Sequence, residues 1–318
     1  MSSQTLLWIL FGLFVVVMMA LDLGVFHRKA HEVKFKEALA WTTAWVLLAL
    51  CFNAGIYIYR GQEAAMQFLT AYLLEESLSV DNLFVFLLIF SYFKVPARYQ
   101  HGVLFWGILG VLIMRGAFIY LGVALVHRFE WIMYIFGAML VLTGIKLAFE
   151  KDKHVELEHN PILKFFRRIF PVSKDYEGAK FFVRQDSRIL VTPLFIILMF
   201  LNTVDLIFAM DSIPAVIAIS QDVFIVFTSN IFAILGLRSL YFVISNIMEL
   251  FHHLHYGLSL ILVFIGIKML IMDFYKIPTS ASLAFILVTL IISIIASIVW
   301  PKIKKEIVSH QSKCEHGE

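Results

Sequence analysis

Five carboxylates stand in two apolar segments that give them no obvious solvent. "YLLEESLSVDNLFVF" (72–86) carries Glu75, Glu76 and Asp81, and "NTVDLIFAMDSIPAV" (202–216) carries Asp205 and Asp211. Ser77, Asn82, Asn202, Thr203 and Ser212 lie among them. Carboxylate, amide, hydroxyl and carbonyl oxygens form a hard donor set. Such a set suits Mg²⁺, Ca²⁺ or Mn²⁺, whereas zinc and copper favour His and Cys. Spacing limits how the set can form. Ser77 and Asp81 are four residues apart and share a helix face. Glu75 and Asp81 are six apart, as are Asp205 and Asp211, so about 9 Å of helix axis separates each pair. One straight helix hardly brings both members of a pair to one ion. Pro214 suggests a solution, because proline cannot donate an N–H and disfavours helical geometry at the preceding Ile213. A kink or break there would free carbonyls around 209–213, beside Asp211 and Ser212. The expected cation site is Asp81, Asp205, Asp211, Glu75, Asn82, Asn202 and Ser212.

Charges in such surroundings need partners, since one at a bilayer centre costs about 2.5–3.5 kcal/mol on insertion scales. Arg115 and Arg238 are deep in apolar runs and are expected to pair with carboxylates. Lys146 and Lys268 lie near run ends, where a lysine can snorkel to the interface. Two readings fit these charges: a functional ion site, or a structural network of ion pairs. His252, His253 and His255 ("HHLH") could bind a metal or sense pH, or simply furnish an interfacial loop. No HExxH, GxSxG, P-loop or GxGxxG occurs in a credible context, so no enzyme class is indicated.

The elements that must position these groups follow from composition. Of 318 residues, 61% are hydrophobic and 15% charged, against about 25% charged in soluble domains. Mean hydropathy is +0.86. Nine apolar runs approach or exceed the ~20 residues that span a bilayer as helix. They cover roughly 6–26, 39–59, 66–92, 102–126, 130–149, 192–219, 223–247, 256–273 and 278–300. Lipid leaves backbone N–H and C=O groups no water, so these runs must be helices. The fold class is an all-α polytopic membrane protein. The first run lacks a basic n-region and a small-residue cleavage site, and is read as a helix. Cys51 and Cys314 are the two cysteines, too few for a disulfide framework or a Cys-based zinc module. Nineteen Lys and Arg collect in the loops on one side and three (Arg60, Arg128, Lys276) on the other. The positive-inside rule then puts the N-terminus outside and the C-terminus in the cytoplasm. The net charge of +3 reflects this anchoring in a lipid bilayer and does not suggest nucleic acid as a partner.

A repeat organises the spans. "VDNLF" starts at Val80 and "VDLIF" at Val204, an offset of 124. Asp81 precedes Arg115 by 34 residues and Asp205 precedes Arg238 by 33. "TGIKL" then supplies Lys146 and "IGIKM" supplies Lys268, 31 and 30 residues further on. Each unit holds three spans, so the second enters the membrane from the opposite side: an inverted repeat, as in many secondary transporters. The expected division is two N-terminal spans (1–65), a first three-helix repeat (66–149), a cytoplasmic loop (150–190), a second repeat (191–273), and a last span with its tail (274–318). Within the loop, "PILKFFRRIFP" is either a basic amphipathic helix at the headgroups or a plain connection.

"YLLEESLSVDNLFVF", "VDLIFAMDSIPA" (204–215), "SNIFAILGLRSLYF" (229–242) and "LVFIGIKMLI" resemble signature segments of the TerC family, and the likeness runs from the first span to the ninth. The resemblance implies a bacterial cytoplasmic-membrane protein tied to manganese homeostasis, with Mn²⁺ as a transported ion and no permanently bound cofactor. It also implies links, in some members, to tellurite resistance or alkaline response. The family's acidic positions fall on Glu75, Asp81, Asp205 and Asp211, and Asn82 and Ser212 match its pattern. Asn202 departs from it, standing where glutamate is expected. A second reading makes the chain a metal- or pH-responsive protein, or a partner that helps other membrane and exported proteins mature, without net transport. Neither reading sets an oligomeric state.

Overall fold

The computed structural model describes residues 3–26, 35–129, 131–149, 171–173, 178, 180–185, 188–247 and 254–299. Within these, nine α-helices follow one another: α1 Ser3–Phe26, α2 Phe35–Arg60, α3 Gln62–Tyr92, α4 Ala97–Arg128, α5 Ile132–Phe149, α6 Pro193–Ile217, α7 Val223–Ile247, α8 Leu254–Leu270 and α9 Thr279–Val299. A short antiparallel hairpin, β1 Phe182–Gln185 and β2 Arg188–Val191, precedes α6. The expected loop thus contains two strands, each of four residues, which carry too little alternation to register in the sequence. Residues 150–170, with most of the basic segment, and His252 and His253 lie outside the described residues, as does the side chain of His255.

Six helices (α2, α4, α5, α6, α7 and α9) are long and apolar enough to cross a membrane. At 31 residues, α3 reaches about 46 Å at 1.5 Å per residue. It differs from those six in carrying Glu63, Glu75, Glu76 and Asp81. The outer faces are greasy, with Ile58, Ile113 and Leu142 all more than two-thirds exposed. Lipid rewards that exposure and water would not. At the centre stands α7, with 83% of its most apolar stretch buried, against 11% for the peripheral α2.

Helix pairing follows the repeat. α3 packs along α7 as α6 packs along α4; α5 meets α8, α3 meets α6, and α4 meets α7. Exchanging α3–α4–α5 with α6–α7–α8 leaves these pairings unchanged, as a two-fold relation between inverted repeats requires. The α5–α8 seam shows the same relation residue by residue. A Cβ on Gly266 would lie 2.6 Å from the Gly137 carbonyl oxygen, and one on Gly144 would lie 2.8 Å from the Ser259 carbonyl oxygen. Ser259 Oγ donates to the Gly144 carbonyl at 2.6 Å. Residue numbers fall on α8 as they rise on α5, so the two helices run antiparallel. Small residues let the backbones approach this closely, and Gly137/Ser259 and Gly144/Gly266 are repeat mates with one common offset of 122.

The proline expectation needs correcting. α6 runs unbroken through Pro214 to Ile217, and Ala218 N–H still reaches the Pro214 carbonyl at 3.0 Å. Proline forfeits one N–H and strains the turn before it. The helix ends within a turn of that point, so little ladder remains to be disrupted. The freed carbonyl reduces to one, that of Met210, which has no N–H from Pro214 to accept.

A buried carboxylate–arginine cluster between the repeats

The two largest apolar cores of the bundle meet near its middle. One includes Leu83, Val111, Leu198, Leu201 and Leu237; the other includes Leu74, Leu78, Ile119, Ala209 and Ile213. Arg115 on α4 lies four residues from Val111 and from Ile119, and Asp205 on α6 lies four from Leu201 and from Ala209. Helical spacing thus puts both charges where the two cores meet.

There they pair. Arg115 Nε donates to Asp205 Oδ2 at 3.0 Å, and an Nη donates to Asp205 Oδ1 at 3.2 Å. The other Nη donates to Glu75 Oε2 at 2.7 Å. Arg115 and Glu75 are 1% exposed and Asp205 2%. The guanidinium fork matches a carboxylate in two parallel bonds, a geometry lysine cannot reproduce. In a buried setting such bonds offset a desolvation cost of several kcal/mol per ion. Glu75 comes from the first repeat and Asp205 from the second, so one arginine ties the halves together.

The cluster is not fully committed. Among the described residues, nothing donates to the buried atoms Glu75 Oε1, Asn202 Oδ1, Ser212 Oγ and Glu76 Oε2. Asn202 sits in a notch of α4, where a Cβ on Gly110 would lie 2.7 Å from its Nδ2 and one on Gly107 3.8 Å from its Oδ1. Beside it is a cavity of about 20 Å³ lined by Asn202, Asp205, Arg238, Gly107 and apolar neighbours, enough for about one water or a bare ion by the ~10–15 Å³ criterion. Arg238 also lines a smaller recess with Trp41, Trp45, His101 and Ser239.

The remaining expected residues divide. Asp211, half buried, faces α5 and accepts from Thr143 Oγ1 at 3.1 Å. It points away from the Arg115 side of α6, as a six-residue interval implies. Asn82 is buried. The side chain of Asp81 lies outside the described residues. Thr203 spends its hydroxyl on the Met199 carbonyl at 2.8 Å, and Ser77 on Leu73 at 2.5 Å; both back-bond within their own helices. Lys146 is exposed near the end of α5, while Lys268 is half buried and donates to Ser282 Oγ at 3.0 Å. No group of three His, Cys, Asp or Glu converges among the described residues.

Sequence reasoning missed Thr143, Gly107, Gly110 and Asn230. Asn230 is 1% exposed, and neither amide atom has a partner among the described residues. An asparagine inside a run of apolar residues is a signal of the same kind as the carboxylates. The α4 glycines have meaning only once Asn202 is seen against them. At the other end of the bundle, a cavity of about 530 Å³ is lined by His127, Lys268, Asp273 and Lys276 among others. Its cationic lining sets it apart from the carboxylate cluster.

Fold and site define a polytopic membrane protein built on inverted three-helix repeats around a buried ion-pair cluster. Residues 60–305 match the family described as "Integral membrane protein TerC family", and the chain belongs to that family. It is 51% identical over 293 residues to an uncharacterized membrane protein of Myxococcus xanthus, covering 92% of each chain. It is 44% identical over 299 residues to the Escherichia coli K12 protein named "Putative membrane-bound redox modulator Alx", covering 91% of this chain and 93% of that one. A Rickettsia bellii membrane protein is 40% identical over 304 residues, 96% and 99% of the two chains. These relatives place the chain in the Alx-like branch. No solved structure matches.

Proposed function

We propose that this chain exports divalent cations, Mn²⁺ foremost, from the bacterial cytoplasm. The observation that carries the reading is the pair of buried carboxylates, Glu75 and Asp205, contributed by opposite repeats at the junction of two apolar cores. Scaffolding alone gives a bundle little reason to bury acids there, since two well-packed apolar residues would serve stability as well or better. The uncommitted oxygens of Glu75 and Asn202 supply hard donors such a cation prefers, and Ser212, about 15 Å further along α6 than Asn202, offers another on the same path. Asp211, about 9 Å along the unbroken α6 from Asp205, would be a separate acidic station on the path, with Asp81 and its chain neighbour Asn82 adding to the acidic set.

In this mechanism the cation enters from the cytoplasmic side and is held by carboxylates of both repeats. The repeats then rock about the site and the ion leaves outward, with the N-terminus outside and the C-terminus inside. Inward proton movement balances the charge, because clustered carboxylates disfavour one another's ionisation and can exchange a proton for an ion.

The test is Mn²⁺ flux into inside-out vesicles, wild type beside Asp211→Asn, with Mg²⁺ and Ca²⁺ as competitors. Flux that vanishes in the variant supports export along a path that includes Asp211. If neither protein moves metal although both insert, the role lies in sensing, or in assisting the maturation of other membrane and exported proteins.

A further inference from the structure

We infer that Arg115 is a tethered stand-in for the transported cation: it holds Glu75 and Asp205 when no metal is bound and must give them up when one arrives. This rests on the cation-transport reading above. Both Asp205 oxygens already accept an Arg115 N–H, and one Glu75 oxygen accepts a third. A cation ligated by Asp205 would therefore meet a guanidinium at hydrogen-bond distance from the same carboxylate. In a water-poor interior, repulsion at that range is far stronger than in bulk, so the two positive charges compete.

A permanent strut would look different. Fully connected buried networks satisfy every member, yet Glu75 Oε1 accepts nothing among the described residues although it is buried. The cavity lined by Asp205, Asn202 and Arg238 leaves space on the side of Asp205 shared with α4 and α7, where an incoming ion would have to be accommodated beside the Arg238 guanidinium. Charge balance points the same way. Two buried carboxylates without a cation would repel each other, and a carrier must change conformation without its cargo as well as with it. Arg115 supplies the charge for that step. It belongs to α4, which packs on α6 and α7, so its release also loosens the tie between repeats at the moment a cation binds.

The experiment measures equilibrium ⁵⁴Mn²⁺ binding and vesicle flux for wild type, Arg115→Lys and the double variant Glu75→Gln/Arg115→Gln. Arg115→Lys keeps a positive charge but not the fork, so Mn²⁺ should bind several-fold tighter while flux falls. The double variant frees both Asp205 oxygens from Arg115 but gives up the Glu75 charge as well, so Mn²⁺ should bind at least as tightly as in wild type in spite of the lost ligand. Its flux should be lost, because nothing resets the empty site. A double variant that folds only with Mn²⁺ present would support the same conclusion. Unchanged or weaker binding in folded Arg115→Lys would overturn it and leave Arg115 a strut. If wild type itself binds no Mn²⁺, the transport reading fails, and that result is separate from the comparison between variants.

Discussion

Asp205→Asn and Asp211→Asn remove one charge each from the same helix, yet the structure assigns them different consequences. Asp205 is 2% exposed and both its oxygens hold Arg115. An asparagine there keeps one acceptor, turns the other into a donor facing a guanidinium, and leaves Arg115 with Glu75 alone. Removing one partner of a buried pair costs about 3–5 kcal/mol, mostly through the charge left behind. Asp211 is half buried, and an asparagine retains the oxygen that accepts from Thr143; its loss should be nearer ~1 kcal/mol. Thermal unfolding of both variants in one detergent would show it, with Asp205→Asn melting many degrees below wild type and Asp211→Asn within a few. Adding Arg115→Gln to Asp205→Asn should recover much of the loss, because the orphaned guanidinium is gone. If Asp205→Asn melts with wild type, Arg115 does not hold the repeats together, and the account of the cluster is wrong. The same contrast decides which variant tests transport more cleanly: Asp211→Asn keeps the oxygen that meets Thr143, whereas Asp205→Asn orphans a buried guanidinium.

Gly266→Ala should destabilise by about 1–3 kcal/mol, since its Cβ would meet backbone that can move only by separating α5 from α8. Gly55→Ala, with nothing within 4 Å, should be neutral or gain up to ~1 kcal/mol from helix propensity; unfolding of the two in parallel checks this. Gly110→Ala should push the Asn202 amide towards the adjacent cavity and weaken Mn²⁺ binding several-fold with little change in melting, read by the same ⁵⁴Mn²⁺ assay. On a background carrying Cys51→Ser and Cys314→Ser, Tyr275→Cys should react with an impermeant thiol reagent from outside the membrane and Lys94→Cys from the cytoplasmic side; labelling of both from one face would refute the orientation.

Each of the nine apolar runs became a helix because lipid imposes one rule on backbone and side chains alike. That rule can be read without knowing any neighbour. Starts were less legible: α3 begins at Gln62 and α4 at Ala97, ahead of their apolar stretches, because Gln62, Glu63 and Arg98 can extend a helix into the interface. Pro214 misled, since the cost of a proline depends on how much helix follows it, and only three residues do. The charges were legible as a set and illegible as pairs. With several acids and two arginines available, nothing in the spacing says that Arg115 takes Glu75 from its own repeat and Asp205 from the other. The α5–α8 seam was hidden for the same reason: Gly137 and Gly144 are seven apart, and their meaning comes from Gly266 and Ser259 across the interface.

The repeat is symmetric in its pairings and asymmetric in its chemistry, and the asymmetry is where direction can come from. At the offset of 124 that relates Asp81 to Asp205, Glu75 corresponds to Met199, Asn202 to Leu78 and Asp211 to Leu87. A carrier whose halves were identical would present the same ligands to either side of the membrane. Here the first half adds two carboxylates, Glu75 and Glu76, before its shared aspartate and the amide of Asn82 after it, and the second adds an amide before and a carboxylate after. Arg115 joins the two sets by holding Glu75 and Asp205 at once. In the proposed mechanism, rocking that opens one side would expose a different set of oxygens from rocking that opens the other. On the export reading, unequal affinity at the two faces would follow from the residues themselves, with the helices free to remain related by their two-fold axis.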